Sequence, residues 1–140
     1  MKLADLIGKK ILFFDGAMGT ELQKRGLQPG IIPETWNLLH PEVVQEIHRE
    51  YLHAGAKLLK TCTFGVNAFK FQGTTYKLTE IVQSAIRNAK AAMQDYPDAY
   101  LCLDIGPLGK LLQPYGDLPF EKAVGLFAEI VRAGAADVDA

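Results

Sequence analysis

Ile11-Leu12-Phe13-Phe14-Asp15-Gly16-Ala17-Met18-Gly19-Thr20 is the stretch from which the fold follows. Its apolar run reads as a strand buried on both faces, which stops at a carboxylate followed by two glycines. Thr20 then stands where it can cap a helix, with Gln23 placed to return the bond as the other half of a capping box. Strand, tight turn and helix make one βα unit. In parallel α/β folds ligands sit at the carboxyl ends of strands, so Asp15 and the amides of Gly16, Ala17 and Met18 are candidates to hold a small polar ligand. Asp15-Gly16 reads equally as a turn in which the Asp side chain bonds its own backbone. The glycines match neither G-x-G-x-x-G nor a phosphate-cradling loop, so no nucleotide site is expected.

The same alternation continues downstream. A first helix is expected over 21–25, with Gly26 as its left-handed exit, then an irregular connector to Pro33. Pro41 opens a second helix, whose buried stripe is Val43, Val44, Ile47, Tyr51 and Ala54, and Ala54-Gly55-Ala56 ends it. Residues 58–64 read as a strand with Thr61 and Thr63 on one face and Cys62 on the other, since side chains alternate. Threonine also simply favours strands. A helix over 79–93 and a strand over 100–105 follow, which puts a second carboxylate, Asp104, at a strand's carboxyl end. Asp117 is placed to cap a helix over 120–133 that buries Phe120, Ala123, Val124, Phe127, Ile130 and Val131.

Ala133-Gly134-Ala135 repeats the joint Ala54-Gly55-Ala56, so the last residues read as the approach to a further strand. A whole (β/α)8 barrel takes ~250 residues. The expected fold is therefore α/β: residues 1–140 as the N-terminal part of a TIM barrel, with three strands, their helices and no closure. A stand-alone doubly wound domain is the alternative.

Composition narrows the function classes. The chain is 49% hydrophobic and 22% charged with a net charge of −1, which offers no basic face for nucleic acid and no polybasic run for a membrane. No apolar stretch nears the ~20 residues of a bilayer span, and the first residues lack the pattern of a secretory signal, so a cytoplasmic setting is expected. Cys62 and Cys102 lie in strand-like runs, far from a C-x-x-C pair, and read as buried thiols. His48 and His53 lack the i, i+4 spacing of a metal pair and read as surface or packing residues.

Asp15-Gly16-Ala17-Met18-Gly19-Thr20, Pro33-Glu34-Thr35-Trp36-Asn37, the run from His40-Pro41-Glu42 to Ala54-Gly55-Ala56, Thr61-Cys62-Thr63-Phe64-Gly65 and Asp104-Ile105-Gly106-Pro107 together resemble, in this order, the homocysteine S-methyltransferase family. Within it the likeness is greatest to the homocysteine-binding domain of cobalamin-dependent methionine synthases. The resemblance implies a (β/α)8 barrel whose strand ends bind homocysteine, with zinc activating its sulfur: a free thiol of pKa ~8.5 is mostly protonated at neutral pH, and metal binding deprotonates it. It implies cobalamin and methyltetrahydrofolate, on further modules, if the full-length enzyme is of the methionine synthase type. Family zinc is held by three cysteines, one from a late strand and two from a Cys-Cys pair near the barrel's end, and this sequence contains neither element. Two cysteines cannot build that site, and His40, His48 and His53 have no ligand spacing, so methyl transfer by this chain alone is not expected.

The resemblance further implies that Asp15 faces the ammonium of homocysteine, the amides of Gly16 and Ala17 its carboxylate, and that Thr61 adds a hydroxyl. Elementary chemistry agrees, because an ammonium in a cleft wants a carboxylate and a carboxylate wants turn amides. Asp104 is a lesser candidate, and Trp36 and Asn37 either shape the pocket rim or pack. Two rivals stand: a homocysteine methyltransferase using betaine or S-methylmethionine as donor, and a small α/β binding domain without catalysis, which predicts no large apolar patch.

Overall fold

The structure, a computed structural model, describes residues 2–140. Its regular elements in chain order are α1 (Gly19–Lys24), α2 (Trp36–Leu39), α3 (Pro41–His53), β1 (Leu58–Lys60), α4 (Leu78–Ala92), β2 (Tyr100–Cys102) and α5 (Phe120–Gly134). β1 and β2 pair in parallel, Leu58 opposite Tyr100 and Lys60 opposite Cys102. Parallel strands need a crossover, and α4 supplies it.

Short segments extend the sheet on both edges. On one side Phe14 bridges Leu58, and the Asp15 N–H donates to the Leu58 carbonyl at 2.9 Å. On the other, the Asp139 N–H donates to Leu101 O and the Leu103 N–H to Ala140 O, each at 2.8 Å. The expected approach to a further strand is thus already hydrogen-bonded beside β2. Every pass lies next to its predecessor, so all their carboxyl ends meet at one rim.

α4 is the centre of the packing, lying between α3 and α5. Leu78, Ile81, Val82, Ile86, Ala89 and Ala92 of α4 share one core with Leu59 of β1, Leu101 of β2 and Ile130 of α5. Its alanines let the helix approach the strands closely. A second core under the first turn joins Leu22, Leu27, Trp36, Val44, Ile47 and Cys62. Gly26 and Gly55 leave their helices at φ +104° and +105°, the left-handed exits that residues with a Cβ rarely adopt.

Several expectations are corrected. Residues 11–14 are not a strand buried on both faces: only Phe14 forms a bridge, and Ile11, Phe13 and Phe14 are 84%, 68% and 55% exposed. Burial on both faces requires packed layers above and below a strand, and among the described residues the side chains of Ile11, Phe13 and Phe14 are left open to solvent. The strands expected over 58–64 and 100–105 end at Lys60 and Cys102, and just after Lys60 the chain leaves the strand as the Thr63 N–H turns back to the Thr61 carbonyl at 2.9 Å. Thr20 is not a cap: α1 starts at Gly19 behind Met18, with no side-chain cap bond. Asp117 does not cap α5, whose first turn follows Pro119 without a side-chain bond.

The α5 stripe is only half covered. Ala123 and Ile130 are buried with Ala133 and Gly134, whereas Phe120, Val124, Phe127 and Val131 are exposed, since α5 packs on α4 and the sheet from one side. In α3 the buried residues are Val44, Ile47, His48 and Leu52, so the stripe is rotated from Val43, Tyr51 and Ala54 towards α4. Among the described residues no helix is long and apolar enough to cross a membrane.

Candidate functional site

At the rim of the parallel passes lies a cleft of about 310 Å³. Its walls are the turn after Phe14 (Asp15 to Gly19), the exit of β1 (Lys60 to Phe64), Glu34, Lys70 and Asp104. Asp15, Gly16, Ala17 and Thr61, the residues singled out from sequence, all line it, as does Asp104.

Asp15 is nearly buried, and its Oδ2 accepts the Lys60 N–H at 3.1 Å. That bond reaches across to β1, so the side chain does not close a local turn. Its Oδ1 is buried without a hydrogen-bond partner, and Lys60 Nζ stands 3.6 Å away. Burial pushes the carboxyl up to about 6, because desolvation outweighs the amide and ammonium of Lys60. Burial also raises Asp104 above the usual carboxylate range.

The turn itself is clamped from α3. The Tyr51 hydroxyl donates to the Ala17 carbonyl at 2.7 Å. Its ring lies so close to Gly16 that a Cβ there would stand 2.8 Å from Tyr51 Cε1. A glycine is needed at this point for close approach. The Gly16 and Ala17 amides donate to no group among the described residues. Tyr51→Phe is expected to cost about 1 kcal/mol in chemical denaturation, the worth of one hydrogen bond. Gly16→Val should cost more, by forcing ring and turn apart; equal stability of both variants with the parent would show that the clamp is not formed.

Thr61 and Thr63 join the two strand exits. The Asp104 N–H donates to Thr61 Oγ1 at 3.0 Å, and Thr63 Oγ1 donates to the Asp104 carbonyl at 2.6 Å. With the Thr63 proton committed, the 2.7 Å contact between the hydroxyls has Thr61 as donor. Thr61 Oγ1 therefore faces a ligand as an acceptor only.

Opposite Asp15, the buried Glu34 accepts the Gly65 N–H on Oε1 at 2.6 Å, with Lys70 Nζ 3.8 Å from Oε2. Asn37 lies beneath this wall, donating to Glu34 O at 2.9 Å and Cys62 O at 2.7 Å, and the Asn88 amide donates to Asn37 O at 2.9 Å. Asn37 thus holds the wall from behind, while Trp36 packs in the core beneath α1. Tyr51, Glu34 and Lys60 are the site residues that sequence reasoning missed. Each acts through a partner at least 31 residues away, a distance no local pattern encodes.

Cys62 and Cys102 are buried free thiols, and desolvation raises both above the ordinary thiol range. His40 packs against Trp36 with ring centroids 4.4 Å apart, His53 is exposed, and His48 is sealed inside. Among the described residues no three His, Cys, Asp or Glu side chains are grouped to hold a metal. The zinc implied by the resemblance therefore finds no fitting donor set among the described residues.

Comparison with known proteins adds to this geometry. Methionine synthase from Mycobacterium tuberculosis is 40% identical over 73 residues, covering 46% of this chain and 6% of that protein. Homocysteine S-methyltransferase from Escherichia coli is 28% identical over 120 residues, covering 76% of this chain and 36% of its own length. The crystal structure of the homocysteine methyltransferase MmuM from Escherichia coli, in its metallated form, superposes with a TM-score of 0.79 at 22% identity, over 94% of this chain and 52% of that one. The chain thus spans about half or less of the relatives it matches, and its fold resembles part of the solved barrel. The family model described as homocysteine S-methyltransferase matches residues 12–140. The chain belongs to the homocysteine S-methyltransferase family.

Proposed function

We propose that this chain is the amino-acid-gripping part of an enzyme that transfers a methyl group to the thiol of homocysteine, forming methionine. In this reading residues 1–140 are the N-terminal portion of a (β/α)8 barrel, and the zinc ligands and methyl-donor machinery lie on other segments. The observation that carries it is the buried Asp15 with an oxygen lacking any donor, set beside the free turn amides of Gly16 and Ala17. A zwitterion supplies what both lack: its ammonium faces Asp15, its carboxylate takes the amides, and Thr61 accepts a further ammonium hydrogen.

The exposed Ile11, Phe13, Phe14, Phe120, Val124 and Val131 support a part-barrel over a self-contained binding domain. Relatives named methionine synthase and homocysteine S-methyltransferase both match, which keeps a second reading in which the donor is betaine or S-methylmethionine in place of a methylated corrinoid. Cobalamin and methyltetrahydrofolate belong only to the first.

The test is a homocysteine titration of the 140-residue chain and of a version extended by ~150 residues to complete the barrel, each with and without zinc. The short chain is expected to bind weakly, on the order of 1 mM, and indifferently to zinc, whereas the completed barrel should bind more tightly once zinc is added. Zinc-dependent binding by the short chain would overturn the division of labour proposed here, and absence of binding by both would overturn the substrate.

A further inference from the structure

We infer that Lys60 is a specificity-determining residue: on ligand binding its ammonium leaves Asp15 for the carboxylate of an α-amino acid, while the ligand's own ammonium takes over Asp15 Oδ1. This rests on the proposed function and names how the cleft would tell a zwitterion from its halves.

Lys60 ends β1 between the buried Leu59 and Thr61, at the wall of the cleft. Its backbone N–H is fixed to Asp15 Oδ2 at 3.1 Å, which anchors the stem beside the carboxylate. Its ammonium, however, stays 3.6 Å from Oδ1, outside the 2.7–2.9 Å of a charge-assisted hydrogen bond, and Oδ1 has no other donor. The contact between ammonium and Oδ1 is therefore a long one. A buried carboxylate oxygen without a donor is costly, so a ligand ammonium that reaches it is favoured over the loose lysine.

The displaced lysine then needs an anion. Its four-carbon stem is flexible and its side chain is 35% exposed on the cleft wall, so it can swing without disturbing β1. An α-amino acid brings ammonium and carboxylate on one carbon. Its charges would alternate with those of the protein, Asp15 to ammonium and ligand carboxylate to Lys60, with the Gly16 and Ala17 amides sharing that carboxylate. A simple amine would strand Lys60, and a simple acid would strip Asp15 of its counter-ion.

The test compares homocysteine with 3-aminopropane-1-thiol, which lacks the carboxylate, by NMR titration of the parent chain, Lys60→Met and Lys60→Arg. Removing the ligand carboxylate should weaken binding about tenfold in the parent and only about threefold in Lys60→Met, where the Gly16 and Ala17 amides alone still hold it, while Lys60→Arg keeps most of the discrimination. Should Lys60→Met fail to fold, Lys60→Gln serves the same comparison. Equal effects of Lys60→Met on both ligands, in either direction, would show that Lys60 acts only on Asp15 and overturn the inference. Failure of homocysteine to bind the parent overturns the proposed function and this inference with it; binding in the parent with an indifferent Lys60→Met overturns this inference alone.

Discussion

Asp15→Asn is expected to stabilise the protein at pH 7 while removing its hold on homocysteine. The Asp15 carboxyl rises from 3.8 to about 6 on folding, chiefly through desolvation. A group held above its unfolded value binds more protons in the native state, so its contribution to stability falls as pH rises from about 4 to about 6 and then levels. The shift of ~2 units, in which the Lys60 ammonium is already counted, corresponds to at most ~3 kcal/mol; water in the cleft reduces this to an expected gain of about 1–2 kcal/mol for the neutral amide. The gain should vanish near pH 3.5, where the carboxyl is already protonated. Thermal melts of both proteins at the two pH values check it, and a loss of stability at pH 7 would mean that Asp15 is held by Lys60 more than it is penalised by burial.

Binding should move the other way. Neutralising one member of a desolvated charge pair leaves the ligand ammonium unsatisfied, for an expected loss of 100-fold or more. Stability and ligand affinity changing in opposite directions on one substitution is the signature of a functional carboxylate, since a merely structural one would lower both or neither.

His48→Leu is expected to give the largest change in acid resistance. His48 is fully buried in α3, neither ring nitrogen has a hydrogen-bond partner, and burial pushes its pKa from 6.5 down to about 4. The sign is opposite to that of Asp15: the unfolded imidazole takes up a proton that the folded one refuses, so stability is full above about 6.5 and is lost as pH falls towards 4. At pH 4.5 that loss is roughly 2 kcal/mol in the parent and absent in the variant. At pH 7 an apolar side chain of similar volume also relieves two unsatisfied buried nitrogens, an expected gain of about 1 kcal/mol. Urea denaturation at the two pH values measures both. A variant that unfolds in acid like the parent would place the acid-sensitive step elsewhere.

Much of the plan was legible in order along the chain. The apolar spacing through Ile81, Val82, Ala85 and Ala89 marks α4 because a helix buries one stripe, and Pro41 and Gly55 mark the ends of α3 because one lacks an N–H and the other lacks a Cβ. Asp15, Gly16, Ala17 and Thr61 could be placed in one cleft because strand direction puts every carboxyl end on the same rim. Errors gathered where periodicity is silent. A stripe such as Phe120, Val124, Phe127 and Val131 shows that a face is apolar, not that anything covers it.

What the sequence by itself determined is therefore the succession of strand ends, turns and helices, and which residues stand at the rim, since these follow from local spacing and chain direction. Only the tertiary structure decided that Tyr51 clamps the turn, that Lys60 faces Asp15, that Glu34 and Asn37 brace the opposite wall and that His48 is sealed without a partner. Hydrogen bonding and desolvation act between groups tens of residues apart, and their strength depends on distances and burial that exist only once the helices have closed over the sheet.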